Sequence, residues 1–338
     1  MISLYFDKYY QKHPDVILEI LDYFDVTNLS YGQIEEKSVL NFCERHKDGE
    51  KSIYSPFVIS AFCKRLNELG ILLCLRNSGS LGYLDNYYFK PLRSYQSNKK
   101  YYNRLYSSLV YGLDYVYELY KNIVVPLVWE KEDGLYAAAT GFRFLNGIVT
   151  AKHCLTDVKN LKIKGFTAAQ LQGKPIYVSN NEGVDLAFIE TGGDVLSIPY
   201  EEGQVMQQVL VLGYPKIPTF TPFLTSEIAT ISSKASARLT PTCGSIAATG
   251  QQYLTKMGAL LITAKIRGGN SGGPVINERG HLVGIACQLP YYDKTIGDYD
   301  DLGYGIAIPV SYLLDIISKK AAQLNVVENF YRDFVEED

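Results

Sequence analysis

Gly268-Gly269-Asn270-Ser271-Gly272-Gly273-Pro274-Val275 is the stretch from which the rest of this chain is read. A serine followed by a glycine pair and a proline, with Gly269 just upstream, describes a tight backbone elbow. Glycine admits dihedrals and close approaches that a Cβ forbids, so the backbone can curl around a reacting atom. In such an elbow the N–H groups of Gly269 and Ser271 can converge on one point, where an oxyanion is stabilised. Taken alone, the same letters also fit a glycine-rich turn whose serine has no special role.

The elbow has companions. Gly147-Ile148-Val149-Thr150-Ala151-Lys152-His153-Cys154 reads as a strand running into a histidine, and Gly183-Val184-Asp185-Leu186-Ala187-Phe188-Ile189 as an aspartate opening an apolar strand. A strand-end histidine alone, or a strand-opening aspartate alone, is usually structural. The order His153, Asp185, Ser271, each in its own context, resembles the trypsin-like (chymotrypsin-fold) serine proteases, nearest the HtrA/Deg branch. Ala139-Thr140-Gly141-Phe142 before the histidine and Gly303-Tyr304-Gly305-Ile306-Ala307-Ile308-Pro309 after the serine echo the same branch.

The resemblance covers roughly residues 122–318 and implies an all-β double six-stranded barrel. It places His153, Asp185 and Ser271 in a cleft: Ser271 as nucleophile, His153 as general base and acid, Asp185 orienting the ring. The Gly269 and Ser271 amides would form the oxyanion hole, with no metal and no organic cofactor. Lys265 would lie near the base of the primary pocket, with Cys287-Gln288-Leu289 and Gly303 to Gly305 in its walls. An inward Lys265 favours acidic substrate side chains; an outward one leaves the acidic segment 293–301 to favour basic ones. Where most trypsin-like enzymes carry an aspartate that pairs with a newly cut amino terminus, this chain has the neutral Asn270, so no amino-terminal clipping is expected.

Outward from this core, the texture changes. At 338 residues with 47% hydrophobic and 20% charged side chains, the chain is ordinary globular protein and long enough for two domains. Residues 1–95 read as a small α+β unit. Pro14 starts a helix with Val16, Ile17, Ile20, Leu21 and Phe24 at helical spacing; a second helix covers Gln33 to Arg45. The third follows Ser55 and Pro56, carries Val58, Phe62, Leu66 and Leu69, and stops at Gly70. Strand 71–76, a turn-rich tip and returning strand 83–92 complete a pattern that resembles a winged helix. Residues 96–121 predict a tyrosine-rich connecting helix, and residues 319–338 a C-terminal helix with an acidic tail. No appended peptide-binding domain is expected.

The formal net charge of −3 excludes a uniformly basic polyanion binder, but residues 51–104 hold nine basic side chains against Glu68 and Asp85, a local +7. That face could neutralise phosphates, serve a protein or scaffold partner, or be a plain solvated surface. The start shows no basic segment leading into an apolar run, and no apolar stretch approaches membrane-spanning length. The six cysteines include no CxxC pair, and none in 122–150 offers the bridge to Cys154 found in many secreted relatives. A cytoplasmic setting is expected. The expected function is a serine endopeptidase gated or targeted by its amino-terminal unit. The alternative is a catalytically silent scaffold, or a DNA- or protein-binding regulator.

Overall fold

The computed structural model describes residues 9–79, 82–130, 136–193, 196–215, 230–232, 235–236, 238–251, 256–287, 304–326 and 330–334. The chain divides into two compact units, one ending at Tyr115 and the other beginning at Val116.

The first unit is built from short helices around one apolar core. Helices α1 (Tyr9–Lys12) and α2 (Val16–Phe24) come first, and α2 buries Val16, Ile17, Ile20, Leu21 and Phe24, the stripe its spacing dictates. The expected helix from Gln33 to Arg45 is two, α3 (Tyr31–Glu35) and α4 (Val39–Arg45). Ser38 divides them: its side chain accepts the Asn41 N–H and starts the second helix afresh. A small hairpin, β1 (Lys47–Asp48) and β2 (Lys51–Ser52), leads to α5 (Pro56–Glu68). Its buried face is Ile59, Phe62, Cys63 and Leu66, turned one residue from the expected Val58 and Leu69.

Strands β3 (Leu73–Arg76) and β4 (Asn86–Tyr88) follow, the second much shorter than the expected 83–92. Their connection is held by Asp85, whose carboxylate accepts from the backbone and hydroxyl of Ser78 at 2.7 and 2.6 Å. The expected single helix over the tyrosine-rich stretch breaks at Gly112 into α6 (Lys99–Tyr111) and α7 (Leu113–Tyr120).

The second unit pairs an open sheet with a closed barrel. Its strands are β5 (Val124–Glu130), β6 (Tyr136–Phe144), β7 (Gly147–Thr150), β8 (Lys159–Ile163), β9 (Ile176–Val178) and β10 (Ala187–Glu190), with the one-turn helix α8 (Ala168–Leu171) before β9. β11 (Gln208–Gly213) opens the barrel half, and a hairpin of β12 (Thr230–Ser232) and β13 (Ala235–Ser236) follows it. Next come β14 (Thr240–Gln251), β15 (Gly258–Ile262), β16 (Pro274–Asn277), β17 (Leu282–Cys287) and β18 (Gly305–Pro309). The chain continues through α9 (Val310–Lys319) to β19 (Ala322–Gln323).

The barrel closes in the order β11-β14-β15-β18-β17-β16. In β11, Val209 and Val211 join its core while Leu210 and Leu212 are buried on the opposite face, which explains the unbroken apolar run.

Among the described residues the expected second barrel does not close. The other strands form an open sheet in the order β19-β9-β10-β7-β6-β5-β8, and β8 and β9 do not pair with each other. The C-terminal segment covers both edges. β19 pairs with β9 through Ala322↔Val178 and Gln323↔Tyr177, while the Leu161 N–H donates to Phe330 O and Arg332 N–H to Leu161 O, both at 2.9 Å. This overturns the expected helix over 319–338: α9 ends at Lys319 and the following residues satisfy sheet edges instead. Phe330 (3% exposed) and Tyr331 (2%) seat in the core beneath the sheet. Phe330→Ala is therefore expected to destabilise the unit by about 3–5 kcal/mol, read as a lower chemical-denaturation midpoint.

Candidate active site

β7 delivers His153. The strand ends at Thr150, and the ring sits on the single 3₁₀ turn Lys152–Cys154. Asp185 stands just before β10, and β10 pairs with β7 through Ala187↔Thr150, so sheet register alone brings the carboxylate beside the histidine. Three donors then fix it. Oδ1 accepts the His153 backbone N–H at 2.8 Å; Oδ2 accepts His153 Nδ1–H at 2.5 Å and the Cys287 thiol at 3.1 Å. An ionised carboxylate only accepts, so Nδ1 carries a proton and Nε2 is the nitrogen left for chemistry.

Burial opposes charging the His153 ring, but the hydrogen bonds to Asp185 and Cys154 outweigh it, and the pKa is pushed up to about 10 from the ordinary 6.5. The side chain is 47% exposed, so solvent screens part of this effect. Burial and the neighbouring Asp185 charge push the Cys287 thiol far up, which keeps its S–H in place as a donor. Cys287 was expected only as a pocket wall. Its contact with Asp185 spans 102 residues, and no local pattern announces it.

Ser271 lies at the elbow before β16, 3% exposed. Gly272 explains the letter that follows it. Its φ is +87°, and a Cβ there would stand 2.2 Å from Thr140 O, 2.6 Å from Thr150 Oγ1 and 2.7 Å from Ala151 N. The elbow is thus pressed against the strand end that leads into His153. From the barrel side, Gly272 N–H donates to Ala286 O at 2.8 Å, the residue before Cys287.

Within the loop the amides divide cleanly. Asn270 N–H donates to Arg267 O and Gly273 N–H to Asn270 O, each at 2.9 Å. The N–H groups of Gly269 and Ser271 have no intramolecular acceptor among the described residues. Two unpaired amides in a short loop are available for an external oxygen, and a buried donor left unmade is costly.

No hydrogen bond joins the His153 ring to Ser271 among the described residues. Catalytic hydrogen bonds of this kind are often long or poorly aligned until substrate is bound.

Asn270 is 1% exposed, its Oδ1 has no partner among the described residues, and Gly213 packs directly against it. An uncharged amide tolerates that position, where an unpaired carboxylate would cost far more. Lys265 is exposed, its carbonyl accepting from Thr242 Oγ1 at 3.2 Å, while the adjacent Ala264 and Ile266 are buried. Gln288, Leu289 and the acidic segment 293–301 lie outside the described residues. None of the six cysteines is in a disulfide. No helix among the described residues is long and apolar enough to cross a membrane.

Residues 139–285 match the family model for the trypsin-like peptidase domain, a span containing His153, Asp185 and Ser271. No curated protein matches the sequence. Among solved structures, the active form of the Rv3671c protease from M. tuberculosis is 18% identical, with 63% of this chain and 86% of that one covered and a TM-score of 0.43. The HtrA-type protease AlgW, solved with a tripeptide, is 19% identical, with 60% and 62% covered and a TM-score of 0.43. A serine endoprotease from Yersinia pestis is 21% identical, with 61% and 65% covered and a TM-score of 0.41. Residues 139–285 thus match a trypsin-like peptidase domain, and the described strands around them form a closed six-stranded barrel beside an open half-barrel sheet.

Proposed function

We propose that residues 122–318 are a serine endopeptidase that cleaves peptide bonds through an acyl-enzyme on Ser271. The reading is carried by the His153–Asp185 pair, bonded at 2.5 Å, lying along the same strand end as a nucleophile loop with two free amides.

Deprotonated His153 accepts the Ser271 proton at Nε2 as Oγ bonds to the substrate carbonyl carbon. The developing oxyanion takes the Gly269 and Ser271 N–H groups, each worth on the order of 3 kcal/mol of barrier. The carbon–nitrogen bond then breaks, and the imidazolium returns its proton to the leaving amine. Water, deprotonated by the same ring, hydrolyses the ester and restores the serine. Asp185 holds the tautomer and stabilises the ring while it is charged. No metal or organic cofactor enters these steps.

The winged-helix-like unit over residues 1–95 serves as the recognition module that targets or gates cleavage, in a cytoplasmic protein. Its support is helix α5 leading into the β3–β4 strand pair, after the shorter helices α1–α4, and the +7 charge of residues 51–104. Salt-sensitive retention on nucleic acid identifies a phosphate partner; a flat salt response identifies a protein one.

The test of the peptidase itself is mass spectrometry of new termini after incubation with an unfolded protein mixture. Wild type should generate them and Ser271→Ala should not. Equal output from both, or none from either in the presence of cell extract, favours a silent scaffold.

A further inference from the structure

We infer that the hydroxyl of Thr140 is a positioning group for the nucleophile loop, holding the Gly269–Asn270 peptide in the orientation that leaves the Gly269 and Ser271 amides free. This rests on the peptidase reading above.

Thr140 lies on β6 and is fully buried. The direction of its hydroxyl proton follows from its neighbours. Tyr214 N–H donates to Oγ1 at 2.8 Å, so the Thr140 proton is directed to Gly269 O, 2.6 Å away, which can only accept. The Thr140 N–H donates to Ser271 O at 3.1 Å, and the Thr140 carbonyl accepts from Thr150 Oγ1 at 2.8 Å. At the other end of the peptide, Asn270 N–H is held by Arg267 O at 2.9 Å. The 269–270 peptide is therefore clamped at both its oxygen and its nitrogen.

Sterics do not supply this restraint. Gly268 has nothing within 4 Å of where a Cβ would stand, and Gly269 already sits at φ +101°. A glycine pair beside the peptide leaves it free to rotate, so the hydroxyl fixes what backbone geometry leaves loose. Rotation would turn the Gly269 carbonyl out of the Thr140 bond and reorganise the donors that must be in place before charge develops. Preorganised donors, needing no rearrangement during reaction, are where such sites obtain most of their rate.

Saturation kinetics with an alkyl fluorophosphonate probe tests this. The maximal labelling rate should fall roughly tenfold to a hundredfold in Thr140→Val, short of the cost of deleting a donor outright, while half-saturation moves by less than about threefold. Thr140→Ser, which keeps the hydroxyl, should stay within about threefold of wild type. Thermal unfolding is followed in parallel, and Thr140→Ala, which adds no bulk, replaces the valine variant if that folds poorly. Wild-type rates in folded Thr140→Val or Thr140→Ala, a loss confined to half-saturation, or an equal loss in Thr140→Ser overturn the inference alone. Wild type that never labels overturns the peptidase reading, and the inference with it.

Discussion

Asp185→Asn is expected to slow cleavage and active-site labelling by about four orders of magnitude while the fold survives. The carboxylate accepts both the His153 backbone N–H and Nδ1–H. An asparagine that turns its amide nitrogen toward the ring donates where the carboxylate accepted, which moves the ring proton to Nε2 and removes the base. The same substitution changes the pH response. In wild type the His153 pKa is raised, so the pair's contribution to stability is complete below the ordinary 6.5 and is lost as pH rises through about 10. Activity runs the other way, because only the neutral ring accepts the serine proton. Labelling by wild type should therefore climb with pH above the ordinary histidine range, and the residual labelling of Asp185→Asn should reach its plateau at lower pH. Coincident midpoints in the two proteins would contradict this assignment of Asp185.

Gly272→Ala should be the most damaging single methyl in the domain. The added carbon would stand under 3 Å from Thr140 O, Thr150 Oγ1 and Ala151 N, atoms held in the β6–β7 pair and its end, at a backbone φ of +87°. Left-handed backbone costs alanine roughly 1–2 kcal/mol, and overpacking a rigid site another 1–3 kcal/mol. Relief requires pushing the elbow away from the strand end leading to His153. A lower denaturation midpoint together with loss of labelling is the expected pair of results. Unchanged labelling would mean that the elbow does not depend on this contact.

The elbow was legible because its chemistry is local: Gly269, Ser271, Gly272 and Pro274 are neighbours in the chain, and the glycines answer close approaches the structure contains. His153 and Asp185 were legible for the same reason, each sitting at the end of a short apolar strand. Thr140 and Cys287 were not. Their hydrogen bonds to Gly269 O and Asp185 Oδ2 cross 129 and 102 residues, and their letters carry no periodicity that would mark them. The closed second barrel was expected from family resemblance and fails because β8 and β9 take other partners. Leu324, Tyr331 and Phe334 do recur at helical spacing, yet two unpaired sheet edges offer backbone hydrogen bonds that a surface helix would forgo. The single helices expected over 33–45 and 96–121 divide at Ser38 and Gly112, where the capping group and the break outweigh the surrounding apolar pattern. Exposure of Lys265 leaves its part in substrate choice to a cleavage profile.

The most direct measurement is the site of covalent modification by diisopropyl fluorophosphate. Attack forms an Oγ–phosphorus bond, breaks phosphorus–fluorine and passes the serine proton to His153, with fluoride leaving. Peptide mapping is expected to find a single adduct on Ser271, absent from Ser271→Ala and sharply reduced in His153→Ala. An adduct on another serine, or equal modification of Ser271 with and without His153, would contradict the assignment of these residues as base and nucleophile.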